Sequence, residues 1–184
     1  MTRPSVIVSA GTYHLPFNRL TEWMEPWTKA HPEVHVVMQH GPGKPLGGAE
    51  NHDVLPYAQL LTLCSDADAV VLQGGAGGVM DMRALRRIPI VVPRVPIDDE
   101  VVDDHQLIFT ERAAELGIIR RVLTKEQLWS AIDSELAGSR MSQAVPVPTP
   151  GVANLAARLA ELPPPLRLGE RARRLMRVVG GLGS

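Results

Sequence analysis

An α/β fold with a parallel sheet is predicted by three features of this chain. The run Ala69-Val70-Val71-Leu72 is short and β-branched, and is stopped by Gly74, Gly75, Gly77 and Gly78. A helical stripe of Val79, Met80 and Leu85 follows the glycines directly. A second apolar run, Ile88 to Pro93, is bounded by prolines and reads as the next buried strand.

The turn between the first strand and its helix carries chemistry. Peptide N–H groups near Gly77 and Gly78 fall at a helix N-terminus, where they lack intrahelical acceptors and where glycine lets a ligand approach the backbone. That is a cradle for phosphate. Asp81 stands one turn further in, placed to accept hydrogen bonds from a ribose diol. The following strand exits into a loop with Arg94, Asp98, Asp99 and Glu100, after which Asp103 or Asp104 caps a helix with apolar positions Phe109, Ala113 and Leu116. His105 and Gln106 then sit in the exposed first turn of that helix, facing the strand ends where open parallel sheets bind ligands. The glycine turn lacks the dinucleotide fingerprint and the Lys-Ser/Thr of a P-loop.

The other elements follow from the same rules. Val6 to Val8 opens the sheet, and Phe17, Leu20, Trp23, Met24 and Trp27 mark a first helix that Pro26 should kink. Val34 to Met38 is a second strand, and Gly41-Pro42-Gly43-Lys44-Pro45 a surface loop. A helix runs from Pro56 to Cys64, a fifth strand from Ile118 to Val122, and a helix capped by Thr124 reaches Leu136.

With 184 residues, 45% of them hydrophobic, the chain suffices for one cored domain without disulfides. Its single cysteine, Cys64, lies in an apolar helical segment and reads as a buried thiol in a reducing compartment. No apolar stretch approaches membrane-spanning length and the first strand is too short for a signal peptide, so a cytoplasmic protein is expected. His31, His35, His40 and His52 have no metal-ligand spacing, no metal site is expected, and there is no Gly-x-Ser-x-Gly elbow. Nucleic acid is not an expected partner.

Charge divides the chain. Residues 151–184 hold six arginines against two glutamates, a net +4 that leaves −5 on residues 1–150. The boundaries read as a nucleotide-binding body over 1–143, a proline-rich linker over 144–150 and a helical tail over 151–184. In the tail, Leu168, Ala172, Leu175, Met176 and Val179 form an apolar stripe opposite arginines, suited to packing on its own domain, to a partner subunit or to an anionic membrane surface.

Three separated motifs together resemble a known family. They are Val6-Ile7-Val8-Ser9-Ala10-Gly11-Thr12 with Leu15-Pro16-Phe17-Asn18-Arg19-Leu20, then Gly74-Gly75-Ala76-Gly77-Gly78-Val79-Met80-Asp81, then Val92-Pro93-Arg94 with Asp99-Glu100-Val101-Val102-Asp103-Asp104-His105-Gln106. The stretch from about Ser5 to Trp129 is similar to the C-terminal domain of family 28 glycosyltransferases, and most similar to small subunits of the PssE type.

The resemblance implies a single Rossmann-like domain, the donor-binding half of a GT-B fold. It implies a UDP-sugar donor, no metal, a membrane-anchored acceptor-binding partner and a lipid-linked acceptor at the inner membrane face. Carried over by position, Gly74, Gly75, Gly77 and Gly78 form the phosphate turn and Asp81 holds the ribose. Gln106, with His105 or Asp104, bonds the sugar, and Arg94 belongs to the same loop. Gly11 and Thr12 form the facing turn, and Tyr57 falls near the base. Thr12 is equally readable as an ordinary turn hydroxyl and Tyr57 as a half-buried helix aromatic. His14 is the local candidate for a catalytic base, against the plainer reading of a surface histidine.

Gly78 replaces a customary threonine, Gln73 and Val101 replace histidines, and Asp81 is one methylene shorter than the usual glutamate. These departures leave open a non-catalytic nucleotide-sugar-binding subunit or an inactive paralogue.

Overall fold

A computed structural model of the chain describes residues 3–96 and 100–138. The linker and tail assigned to 144–184 lie outside the described residues, as do Asp98 and Asp99.

The chain alternates strand and helix: β1 (Ser5–Ser9), α1 (Asn18–Ala30), β2 (His35–Gln39), β3 (Glu50–His52), α2 (Tyr57–Asp66), β4 (Ala69–Gln73), α3 (Ala76–Ala84), β5 (Ile90–Val92), α4 (His105–Glu115), β6 (Arg120–Arg121) and α5 (Lys125–Ala137). The six strands form one sheet in the order β3-β2-β1-β4-β5-β6, every pairing parallel.

Strand alternation sends side chains to two helical layers. Val6, Val8, Val36, Met38, Val71 and Val92 point to one face, where they meet Leu20, Met24 and Trp27 of α1 and Leu128, Ala131 and Ile132 of α5. Ile7, Val37, Val70, Leu72 and Val91 point to the other, against Cys64 of α2, Val79 and Met82 of α3 and Ala113 of α4. Near-complete burial on both faces explains why the central strands are uninterrupted apolar runs.

Two indole N–H groups join α1 to α5: Trp27 Nε1 donates to Asp133 Oδ1 at 2.8 Å and Trp129 Nε1 to the Trp23 carbonyl at 2.7 Å. Trp27 is thus a core residue and Trp129 a half-buried one packed against the core, each with a satisfied polar end. Helix α1 passes through Pro26 as one continuous element. Thr124 caps α5 as expected, its Oγ1 accepting from Gln127 N at 3.3 Å.

Several expectations are corrected. Strand β3 was not anticipated, because Glu-Asn-His has no β-branched or apolar signal. It forms because the Asn51 amide brackets the incoming loop, bonding Leu46 and Ala49, while Leu46 is buried in the core. The fifth strand shrinks to Arg120–Arg121. Met80 is 44% exposed and Leu116 60% exposed, so the buried stripe of α3 is Val79 and Met82, and α4 is anchored through Ala113.

Candidate nucleotide-sugar site

Helix α1 leaves β1 for one face of the sheet and α3 leaves β4 for the other, so the loops beyond these adjacent strands part and open a crevice. A cavity of about 300 Å³ occupies it. Gly11 and Thr12 border it from the β1 turn, Tyr57 from the start of α2, and Gly75, Gly77, Gly78 and Asp81 from the α3 turn and helix. Leu60, Leu61, Cys64, Leu72 and Met82 supply an apolar wall.

Backbone geometry explains the glycines individually. Gly11 has φ +76°, and a Cβ there would stand 2.1 Å from Gln73 Nε2. Helix α3 starts at Ala76 with Gly75 as an N-cap that offers no side chain, so Ala76, Gly77 and Gly78 carry the N–H groups unpaired within the helix. A Cβ at Gly77 would meet nothing within 4 Å, which leaves its backbone open to a ligand. Gly74 serves packing instead: a Cβ there would come within 2.9 Å of Gln106 Oε1 and Thr110 Cγ2.

Below the turn, Ser9 Oγ accepts from Gly11 N at 3.2 Å and from Gln39 Nε2 at 3.1 Å, while Gln39 Oε1 accepts from Leu55 N at 2.9 Å. These two buried polar side chains end adjacent strands and fix the β1 turn. Tyr57 Oη donates to Asp81 Oδ1 at 2.7 Å, and that bond to a carboxylate raises the phenol's pKa. Burial pushes the Cys64 thiol up to about 11, which makes it an unreactive wall residue.

The sequence profile of the glycosyltransferase family 28 C-terminal domain matches residues 5–147. The chain belongs to this family. Its sheet and helices are those of the C-terminal half of GT-B glycosyltransferases, a Rossmann-like α/β domain.

Among solved structures, this family 28 domain is similar to the glycotransferase of kitacinnamycin, with 25% identity, TM-score 0.58, and coverage of 76% of this chain and 36% of that one. It is similar in fold to MurG of Acinetobacter baumannii, at 16% identity, TM-score 0.54, and coverage of 85% and 52%. It is likewise similar to the solution structure of ALG13, at 15% identity and TM-score 0.52, covering 83% of this chain and 94% of that one. The chain thus spans about a third to a half of the larger enzymes. No curated protein matches the sequence.

Seven of the expected site residues of this family 28 domain line the cavity: Gly11, Thr12, Tyr57, Gly75, Gly77, Gly78 and Asp81. Tyr57 is 62% exposed at the first position of α2, so the half-buried reading is set aside.

The acidic-loop residues are placed differently. Arg94 is fully buried rather than open to a substrate: its guanidinium donates to the carbonyls of Ala10 (2.9 Å), Leu15 (2.8 Å), Pro16 (3.2 Å) and Glu100 (2.8 Å) and to Gln73 Oε1 (2.8 Å). Gln106, expected to reach a sugar, instead accepts from Arg94 N at 3.0 Å and donates to Gln73 Oε1 at 3.3 Å. Asp104 and His105 are exposed, and His105 Nδ1 meets Asp103 Oδ1 at 2.6 Å. That contact raises the His105 pKa, and the His105 N–H and ring lower that of Asp103. His14 stands exposed beside the Tyr13 ring, 4.4 Å between centroids, and does not border the cavity.

Sequence reasoning missed Ser9 and Gln39 and treated Gln73 only as a departure from pattern. All three are the polar last residues of their strands, β1, β2 and β4, and that position next to the crevice was the available signal. Among the described residues no group of three His, Cys, Asp or Glu side chains is arranged to hold a metal ion.

Proposed function

We propose that this chain is the donor-binding subunit of a glycosyltransferase that moves a sugar from a UDP-sugar to a lipid-linked acceptor. The observation that carries the reading is one cavity joining the open N-terminus of α3 to the Asp81 carboxylate and an apolar wall. The α3 peptide N–H groups take the pyrophosphate, Asp81 takes the ribose hydroxyls, and the wall receives the base. As the glycosidic bond breaks, negative charge builds on the departing UDP. The same N–H groups stabilise it, so the proposal needs no divalent ion.

An acceptor hydroxyl must lose a proton during transfer, and among the described residues the one carboxylate lining the cavity is Asp81, which this reading gives to the ribose, with no histidine or glutamate beside it. The proposal therefore assigns base and acceptor site to a membrane-anchored second subunit, which would hold this chain at the inner membrane face. Among the described residues no helix is long and apolar enough to cross a membrane. The basic, apolar-striped segment Leu166 to Val179 is the proposed contact with that partner.

Calorimetry with UDP in EDTA tests the donor site. Binding of a folded sample is expected, and binding that appears only with magnesium would overturn the metal-free reading. Turnover with and without the membrane subunit tests the division of labour: the chain alone should be inactive. A second reading, a binding subunit without catalysis, is favoured by Gly78, which puts no side-chain hydroxyl at the α3 turn. No turnover in the reconstituted pair, with UDP binding intact, would select it.

A further inference from the structure

Donor-only groups decide how the glutamines beside the cavity are oriented. Arg94 N is a backbone N–H, so the Gln106 atom 3.0 Å from it must be the amide oxygen, and the Gln106 nitrogen is left to donate towards Gln73. Arg94 Nε is equally a donor only, so the Gln73 atom 2.8 Å from it must also be oxygen. Gln73 Oε1 thus accepts twice, and the flipped amide would set nitrogen against two N–H donors. The Gln73 NH2 must turn the other way.

That way is the cavity. Gln73 borders it, and Nε2 is wedged between the β1 turn and the α3 N-cap, 2.1 Å from where a Cβ of Gly11 would be and 3.1 Å from one of Gly75. Among the described residues no acceptor meets Nε2. The anchor is rigid because Arg94 is fully buried, lies over the Phe17 ring at 4.8 Å, and binds Glu100 O, while the Glu100 carboxylate is gripped by Arg19 at 2.7 and 2.8 Å.

We infer that Gln73 is a fixed amide donor to the anionic part of the ligand, and that Arg94 and Gln106 are positioning residues which act through it. This rests on the nucleotide-sugar reading of the cavity. It adds a side-chain donor to the peptide N–H groups of α3 and gives Arg94 and Gln106 a role through Gln73.

The test compares uridine with UDP, because only the second carries phosphate charge, on folded samples checked by thermal melting. Gln73→Glu keeps an oxygen for Arg94 and Gln106 but puts a carboxylate where the NH2 stood. UDP affinity should fall by about tenfold to a hundredfold, the range for a lost hydrogen bond to a charged group, while uridine affinity stays unchanged. Arg94→Lys and Gln106→Leu should lower the UDP-to-uridine preference by less and shift the Gln73 side-chain amide resonances in the NMR spectrum, a signal that lost stability alone would not move. If Arg94→Lys does not fold, Gln106→Leu carries that arm.

An unchanged UDP-to-uridine ratio in Gln73→Glu would overturn the donor role. An unchanged ratio and unmoved Gln73 resonances in a folded positioning variant would overturn the relay. A wild-type chain that binds neither ligand would remove the nucleotide-sugar reading and this inference with it.

Discussion

Tyr57 and Asp81 meet across the cavity: the phenol at the start of α2 donates to the carboxylate on α3 at 2.7 Å. One carboxylate oxygen is thereby held by a protein hydroxyl, and its orientation is set by an element other than its own helix. Tyr57→Phe should free Asp81 to rotate and weaken UDP by less than Asp81→Ala, which should cost about 1–3 kcal/mol of UDP affinity for a lost bond to a charged group. Titration of both variants with UDP ranks them, and an equal effect on 2′,3′-dideoxy-UDP would remove the ribose role.

Gly77 separates a ligand requirement from a folding one. Its Cβ would meet nothing, and alanine is the better helix former by about 1 kcal/mol, so Gly77→Ala should raise the melting temperature. On the proposed donor reading, UDP affinity should fall in the same protein, because the added methyl would stand in the open space beside the α3 peptide N–H groups. Gly11→Ala should instead destabilise, through the positive φ and the collision with Gln73 Nε2.

Arg94 bridges the β1 turn, the end of β4 and the loop before α4. Arg94→Ala would leave several carbonyls without their donor, those of Ala10 and Glu100 among them, a loss of about 3 kcal/mol or more at about 1–3 kcal/mol for each stranded buried acceptor. Chemical denaturation measures it, and a loss below about 1 kcal/mol would contradict the clamp.

The His105–Asp103 contact fixes a pH signature. With its pKa raised in the folded state, protonated His105 contributes stability that is fully present below its unfolded pKa, about 6.5, and is lost as pH rises through the higher folded value. His105 is exposed and Asp103 partly so, which keeps the effect on melting small and makes the NMR titration of His105 the sensitive readout. Asp103→Asn should move that titration back towards the ordinary value.

Cys64 should not react with a disulfide reagent at neutral pH in the native state, since burial in the cavity wall pushes its thiol pKa up to about 11. Reaction should follow unfolding, and prompt labelling of the native chain would show the wall to be open.

The glycine turn between β4 and α3 was legible in the sequence because its signals are local. A β-branched run, glycines and a helical stripe within about a dozen residues define strand end, turn and N–H donors without any distant contact. The same holds for β1, β2, α1 and the Thr124 cap, whose signals are periodicity and a single side chain. Helix α1 runs as one element through Pro26, with Met24 and Trp27 buried in the core that α5 shares.

Which polar residues face the cavity was decided by tertiary structure alone. Arg94 and Gln106 sit in a motif as polar as Asp81 does, yet Arg94 is drawn inward because five carbonyl and amide oxygens from three separate segments converge on it. A buried carbonyl must find a donor, and where those carbonyls gather depends on parallel strands 60 and more residues apart in sequence pairing side by side. Strand β3 was hidden for the same reason, its stability coming from the edge of β2 and the Asn51 bonds rather than from its own residues. The sequence by itself determined a parallel α/β domain with a glycine turn at a helix N-terminus; the packed sheet determined that Gln73, not Arg94 or Gln106, is the side chain bordering the cavity, because only there are the donors that fix its amide brought together.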